Sequence, residues 1–117
     1  MSEQPAETLT VLDEARMREL RDLLPDDFTL LIEGFCRDGE AHLLTVAECV
    51  RFKDWQGAAR ALHTLKGAAI NMGGEHLAAI CEQHRQMLAE DHWRPEYLHQ
   101  LQQSYARMRV RLERWHG

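Results

Sequence analysis

The sequence predicts an all-α fold: an antiparallel up-down four-helix bundle with an additional short N-terminal helix. Three observations predict it. β-Branched residues are scarce and no segment of useful length alternates apolar with polar residues, as a half-buried strand would. The three prolines, Pro5, Pro25 and Pro95, fall at or just before expected helix starts, and none interrupts a helical pattern. Long segments with apolar residues at the helical period follow one another through short connections, which favour antiparallel neighbours.

Residues 1–10 are expected to form a flexible arm, and residues 11–117 a single helical domain. A short helix is expected from Asp13 to Leu24, with Leu12, Ala15, Leu20, Leu23 and Leu24 as apolar positions. Pro25-Asp26-Asp27 should break it and cap the next. That helix should run from Phe28 to Lys53, with Phe28, Leu31, Ile32, Phe35, Leu43, Val46 and Val50 inward, His42 at the stripe's edge, and Gly34 and Gly39 as weak spots. Asp54 is a good N-cap for a third helix, Trp55 to Met72, whose stripe is Trp55, Ala58, Ala59, Leu62, Leu65, Ala69 and Met72. Gly73-Gly74 should end it. A fourth helix, Glu75 to Glu90, presents Leu77, Ile80, Cys81, His84 and Leu88. The fifth, with Pro95 at its first position, should reach Trp115 with Tyr97, Leu98, Leu101, Tyr105, Met108 and Leu112 inward.

A chain of 117 residues suits one domain and can bury a real core. No apolar run is long enough to cross a bilayer, and the N-terminus is acidic and polar, unlike a secretory signal; a cytoplasmic location is expected. Cys36, Cys49 and Cys81 are odd in number, with no CxxC, and read as buried free thiols. The net charge of −5 argues against nucleic acid as a partner. It is unevenly spread: residues 1–40 hold 11 acids and 4 bases, while residues 94–117 hold 5 arginines and 2 glutamates. The tail arginines (Arg107, Arg109, Arg111, Arg114) suit either a phosphate-seeking patch or, more often, a solvated helix face paired with acids.

Chemistry concentrates in ALHTLKGAAINMGG, residues 61–74. On a helix, His63 lies on the margin of the apolar stripe, Lys66 is its neighbour at i+3, and Gly67 shares the flank one turn on. An unperturbed imidazole is largely neutral near neutral pH and can attack phosphorus through a ring nitrogen. A lysine can offset a phosphoryl group's charge. A glycine costs the helix about 1 kcal/mol relative to Ala but leaves its surface bare beside the imidazole.

The run HTLKGAAINMG, residues 63–73, with Leu77, Ile80, Cys81 and Glu82 following, resembles the signature of the histidine-containing phosphotransfer (HPt) domain family of multistep two-component signalling. The resemblance is sharp from His63 to Glu82, and the helical order fits the family's bundle. It implies that His63 is the phosphoryl acceptor, that Lys66 neutralises the phosphoryl group, that Gly67 admits the partner and that Gly73 closes the helix beside Gly74. It implies partners too: the receiver domain of a hybrid sensor kinase as donor and that of a response regulator as acceptor, with Mg²⁺ on the receiver and no cofactor on this chain. The chain would be a phosphocarrier without kinase activity, expected to be monomeric and stand-alone, with no membrane attachment. Docking is expected around Gly67, ringed by Arg60, Thr64, Lys66 and Ile70. Arg85 is expected to face the third helix near His63 as a second positive contact. His84 departs from the family's usual aliphatic residue, marking either a packing variation or a buried hydrogen bond.

Two rivals remain at the level of sequence. A metal or haem bundle needs inward His and carboxylates; here there is no HExxH and no pair of inward ExxH motifs, and His84 with Cys81 is the one tempting pair. A phosphorylation-independent adaptor could dock a receiver or kinase on the same bundle, but it would have no need of His63.

Overall fold

The computed structural model describes residues 8–116, and these residues form five helices: α1 (Glu14–Leu23), α2 (Phe28–Arg51), α3 (Trp55–Asn71), α4 (Glu75–Ala89) and α5 (Tyr97–Glu113). Among the described residues there is no strand. Helices α2 to α5 each pack on the next, and α5 closes back on α2, giving the four-helix bundle with a short extra helix. Leu62 and Leu65 from α3, Leu77 and Ile80 from α4, Leu101, Met108 and Leu112 from α5 and Val46 from α2 fill its centre.

The expected arm at residues 1–10 falls mostly outside the described residues. Its last part is tied down: the carbonyl of Thr10 accepts the His76 N–H at 3.0 Å. Val11 and Leu12 then bury ahead of α1, followed by Met17 and Leu20. Asp13 caps α1, its side chain accepting the Arg16 N–H. The helix lies over the α3–α4 turn, with the Asp13 N–H on the Gly73 carbonyl at 2.9 Å and Arg16 Nε on the Asn71 carbonyl at 3.0 Å. Ala15, Leu23 and Leu24, expected inward, are exposed, because so short a helix touches the bundle with one face only.

Other departures have local causes. Asp27 stands at the N-cap of α2 but makes no side-chain cap bond; its backbone is already helical, at φ −108° and ψ −2°, whereas a capping side chain needs an extended backbone. Pro95 belongs to the turn before α5, not its first position, since Tyr97 and Leu98 N–H groups bond the Arg94 and Pro95 carbonyls. Trp55 is exposed and leans on Trp93, ring centroids 6.5 Å apart. Leu31, Val50, Ala59, Leu88, Tyr97 and Leu98 are half-buried rather than core. Met17, Ala61, Ala78, His76 and Ser104 are buried without having been expected inward; the last two satisfy each other, Nδ1 to Oγ, at 2.7 Å. Gly39 is no weak spot: it is buried, and a Cβ there would lie 2.7 Å from the Tyr105 ring. Its bareness lets α5 approach α2, and the Tyr105 hydroxyl donates to the Cys36 carbonyl at 2.8 Å.

Candidate functional site

Helix α3 is fixed at both ends. The Asp54 carboxylate accepts the Gly57 N–H at 2.9 Å, as an N-cap should. At the far end Gly73 takes φ 81°, a left-handed conformation cheap only for glycine. The N–H groups of Gly73 and Gly74 then bond the Ile70 and Ala69 carbonyls, closing the helix with a Schellman motif. Gly74 has a packing reason as well, since a Cβ there would strike the Met108 side chain. Ala58, Ala61, Leu62, Leu65 and Ala69 bury one face.

The opposite face carries Arg60, His63, Gly67 and Ile70, spaced three, four and three apart, so they stand in one row. All four are exposed. Among the described residues nothing hydrogen-bonds the His63 ring, so its lone pair is open to a reactant. A Cβ on Gly67 would meet nothing within 4 Å among the described residues, so no packing against them requires a glycine there. Ile70 adds an exposed apolar side chain. Thr64 is exposed, with its hydroxyl turned back onto the Arg60 carbonyl at 3.1 Å.

Lys66 is half-buried, and its ammonium is engaged: Nζ lies 3.0 Å from Glu82 Oε1 on α4. Arg85 binds the same carboxylate, Nε to Oε1 at 3.2 Å and Nη2 to Oε2 at 3.3 Å, and Gln86 Nε2 reaches Oε2 at 3.4 Å. Bonds from Arg85 and then Lys66 hold the Glu82 carboxyl below its ordinary range. The Lys66–Glu82 bond pins the antiparallel register of α3 and α4. Arg85 follows Glu82 one turn onward along α4, and His63 precedes Lys66 one turn back along α3. The Arg85 guanidinium rests on Glu82. The sequence shows Lys66 beside His63 but not the acid that holds it, because sixteen residues and a helix reversal separate the pair.

His84 is fully buried and spoken for on both nitrogens. Trp93 Nε1–H donates to Nδ1 at 3.3 Å, which puts the ring proton on Nε2, 3.0 Å from Gln100 Oε1. Burial lowers its pKa. The departure at His84 is thus a buried hydrogen-bond network linking α4, α5 and the segment between them, and it leaves no lone pair for a metal. Cys81 beside it is also buried, its thiol pushed up to about 12 by desolvation. Cys36 and Cys49 are half-buried, and all three cysteines are free. Among the described residues no three His, Cys, Asp or Glu side chains gather as a metal site would require, and no helix is long and apolar enough to cross a membrane. Of the tail arginines, Arg109 pairs with Glu40 at 2.9 Å and Glu113 at 3.3 Å. A groove of about 590 Å³ lies beside it between α2 and α5, and His63 is not among its lining residues. An exposed imidazole on an open helix face is suited to meeting another protein rather than enclosing a small substrate.

No curated protein sequence matches the chain. In fold it is similar to a solved structure, the histidine-containing phosphotransfer protein B (HptB) from Pseudomonas aeruginosa PAO1, with a TM-score of 0.85 over 91% of this chain and 94% of that one, at 22% sequence identity. The Hpt domain family matches residues 30–111, from the first turn of α2 to the last turns of α5, with His63, Lys66, Gly67 and Glu82 inside the match. On that match, the chain belongs to the Hpt domain family.

Proposed function

We propose that the chain is a histidine phosphotransfer protein, taking a phosphoryl group on His63 from the aspartate of a hybrid sensor kinase's receiver domain and passing it to the aspartate of a response regulator. The observation that carries this reading is the row on α3: an exposed imidazole with no hydrogen-bond partner among the described residues, one turn from a glycine whose Cβ would meet none of them within 4 Å. A neutral ring nitrogen attacks phosphorus; the N–P bond forms as the P–O bond to aspartate breaks, and the carboxylate leaves with the electron pair. The second ring nitrogen keeps its proton or releases it to water. Transfer to the next aspartate reverses these bonds. Mg²⁺ and the acidic pocket belong to the receiver, while this chain supplies nucleophile and docking face without kinase activity of its own. Arg60, Thr64, Gly67 and Ile70 form the docking face, and Lys66 and Arg85 are the cations within reach of the phosphoryl group. In this role the chain acts as a cytoplasmic monomer.

The test is incubation with phosphorylated receiver domains and Mg²⁺. The chain should acquire acid-labile, alkali-stable phosphate, and His63→Gln should acquire none. Labelling that survives in His63→Gln would refute the assignment. A wild-type chain that binds a receiver but never takes phosphate would instead make it an adaptor.

A further inference from the structure

The cation expected to neutralise the phosphoryl group is held by an acid. Lys66 Nζ lies 3.0 Å from Glu82, a half-buried carboxylate that also receives Arg85 through two nitrogens and Gln86 through one. Three features make this more than an ordinary surface pair. Lys66 is a helical neighbour of His63, so its flexible stem can carry the ammonium to either group. Arg85 shares the Glu82 carboxylate with Lys66. Glu82 would keep Arg85 and Gln86 if Lys66 left, so releasing the lysine does not strand a bare carboxylate in a partly desolvated place.

We propose that Glu82 is a positioning residue that competes with the phosphoryl group on His63 for Lys66, and thereby sets how strongly the chain holds phosphate. This rests on the reading of His63 as the acceptor. Without phosphate, Lys66, Arg85 and Glu82 together carry one positive charge. A phosphoryl group on His63 brings roughly two negative charges and draws Lys66 away from Glu82. Each phosphorylation exchanges one ion pair for another, so the affinity for phosphoryl is lower than a free lysine would give. That suits an intermediate that has to pass its cargo on.

The quantity to measure is an equilibrium. Wild type, Glu82→Gln, Lys66→Met and the double variant are each equilibrated with the same phosphorylated receiver domain and Mg²⁺, and the two phosphorylated species are read on a phosphate-affinity gel. The receiver's own free energies cancel between variants, so any receiver that exchanges with the chain serves. Glu82→Gln should shift the equilibrium toward the phosphorylated chain by about two- to fivefold, the range for a partly exposed ion pair. Lys66→Met should shift it the other way, and Glu82→Gln added to Lys66→Met should have less than half its effect on a logarithmic scale. A purely structural role for Glu82 would not produce that coupling. Thermal melts establish that each variant folds, and Glu82→Ala, expected to shift the same way, replaces Glu82→Gln if that one does not. Equal constants for wild type and the Glu82 variant, or an undiminished shift in the Lys66→Met background, would overturn the proposal while leaving His63 as the acceptor. If His63→Gln takes as much phosphate as wild type, the reading of His63 falls, and this proposal with it.

Discussion

A methyl group added at Gly67 would touch nothing, whereas one added at Gly39 or Gly74 would run into the side chain of Tyr105 or Met108. Glycine at position 67 therefore costs helix stability without a packing return among the described residues. Gly67→Ala should raise the unfolding free energy by about 1 kcal/mol, measured by urea denaturation. Gly67→Gln should melt no lower than wild type yet slow phosphotransfer from a receiver on the order of tenfold, because a side chain there displaces the incoming reactant; equal rates would show that nothing docks on this patch. Much of this was legible in the sequence. The relation among His63, Lys66 and Gly67 is local, and helical spacing alone gives it. The grip of Glu82 on Lys66 was not legible, because it depends on how α3 and α4 slide past each other.

Three helices end the same way. After α2, α3 and α4 the chain turns through one left-handed residue, Lys53 at φ 60°, Gly73 at φ 81° and Asp91 at φ 58°. In each case the next N–H bonds the carbonyl five residues back, Asp54 to Cys49, Gly74 to Ala69 and His92 to Met87. Only the second end was readable, from its glycines. Lysine carries no signal for a left-handed backbone, which is why α2 was expected to run two residues too far; aspartate visits that region more readily, but nothing else in the sequence marks Asp91. A β-carbon in that conformation costs roughly 1 kcal/mol, so Lys53→Gly should raise stability by about that amount in urea denaturation. Gly73→Ala should lower it, since strain is joined by contacts of 3.0 Å with Asp13 and 3.2 Å with Arg16.

Across the whole molecule, the bundle was legible because four amphipathic segments and short connections leave few ways to arrange them. What escaped were long-range fits of single residues. Gly39 looks like a helix weakness until Tyr105 is seen against it, and His84 looks like a misplaced polar group until Trp93 and Gln100 are found on its two nitrogens. The latter has a consequence for pH. Burial lowers the His84 pKa below 6.5, so between that folded value and 6.5 the unfolded chain binds more protons than the folded one. Stability from this site is complete above 6.5 and is lost as pH falls through the window, by at most about 1.4 kcal/mol per pH unit. His84→Gln should be less stable than wild type at pH 7.5, and the difference should narrow at pH 5.5 in urea denaturation. The open ring of His63 has a different kind of consequence. Among the described residues no side chain is hydrogen-bonded to it, so no such contact has to break or form when the ring takes or gives a phosphoryl group in the proposed role. By microscopic reversibility each collision can run either way. If His63 is the acceptor proposed above, the traffic of phosphate would follow the abundance and loading of the receivers that dock on α3, and the chain between them would work as a two-way junction.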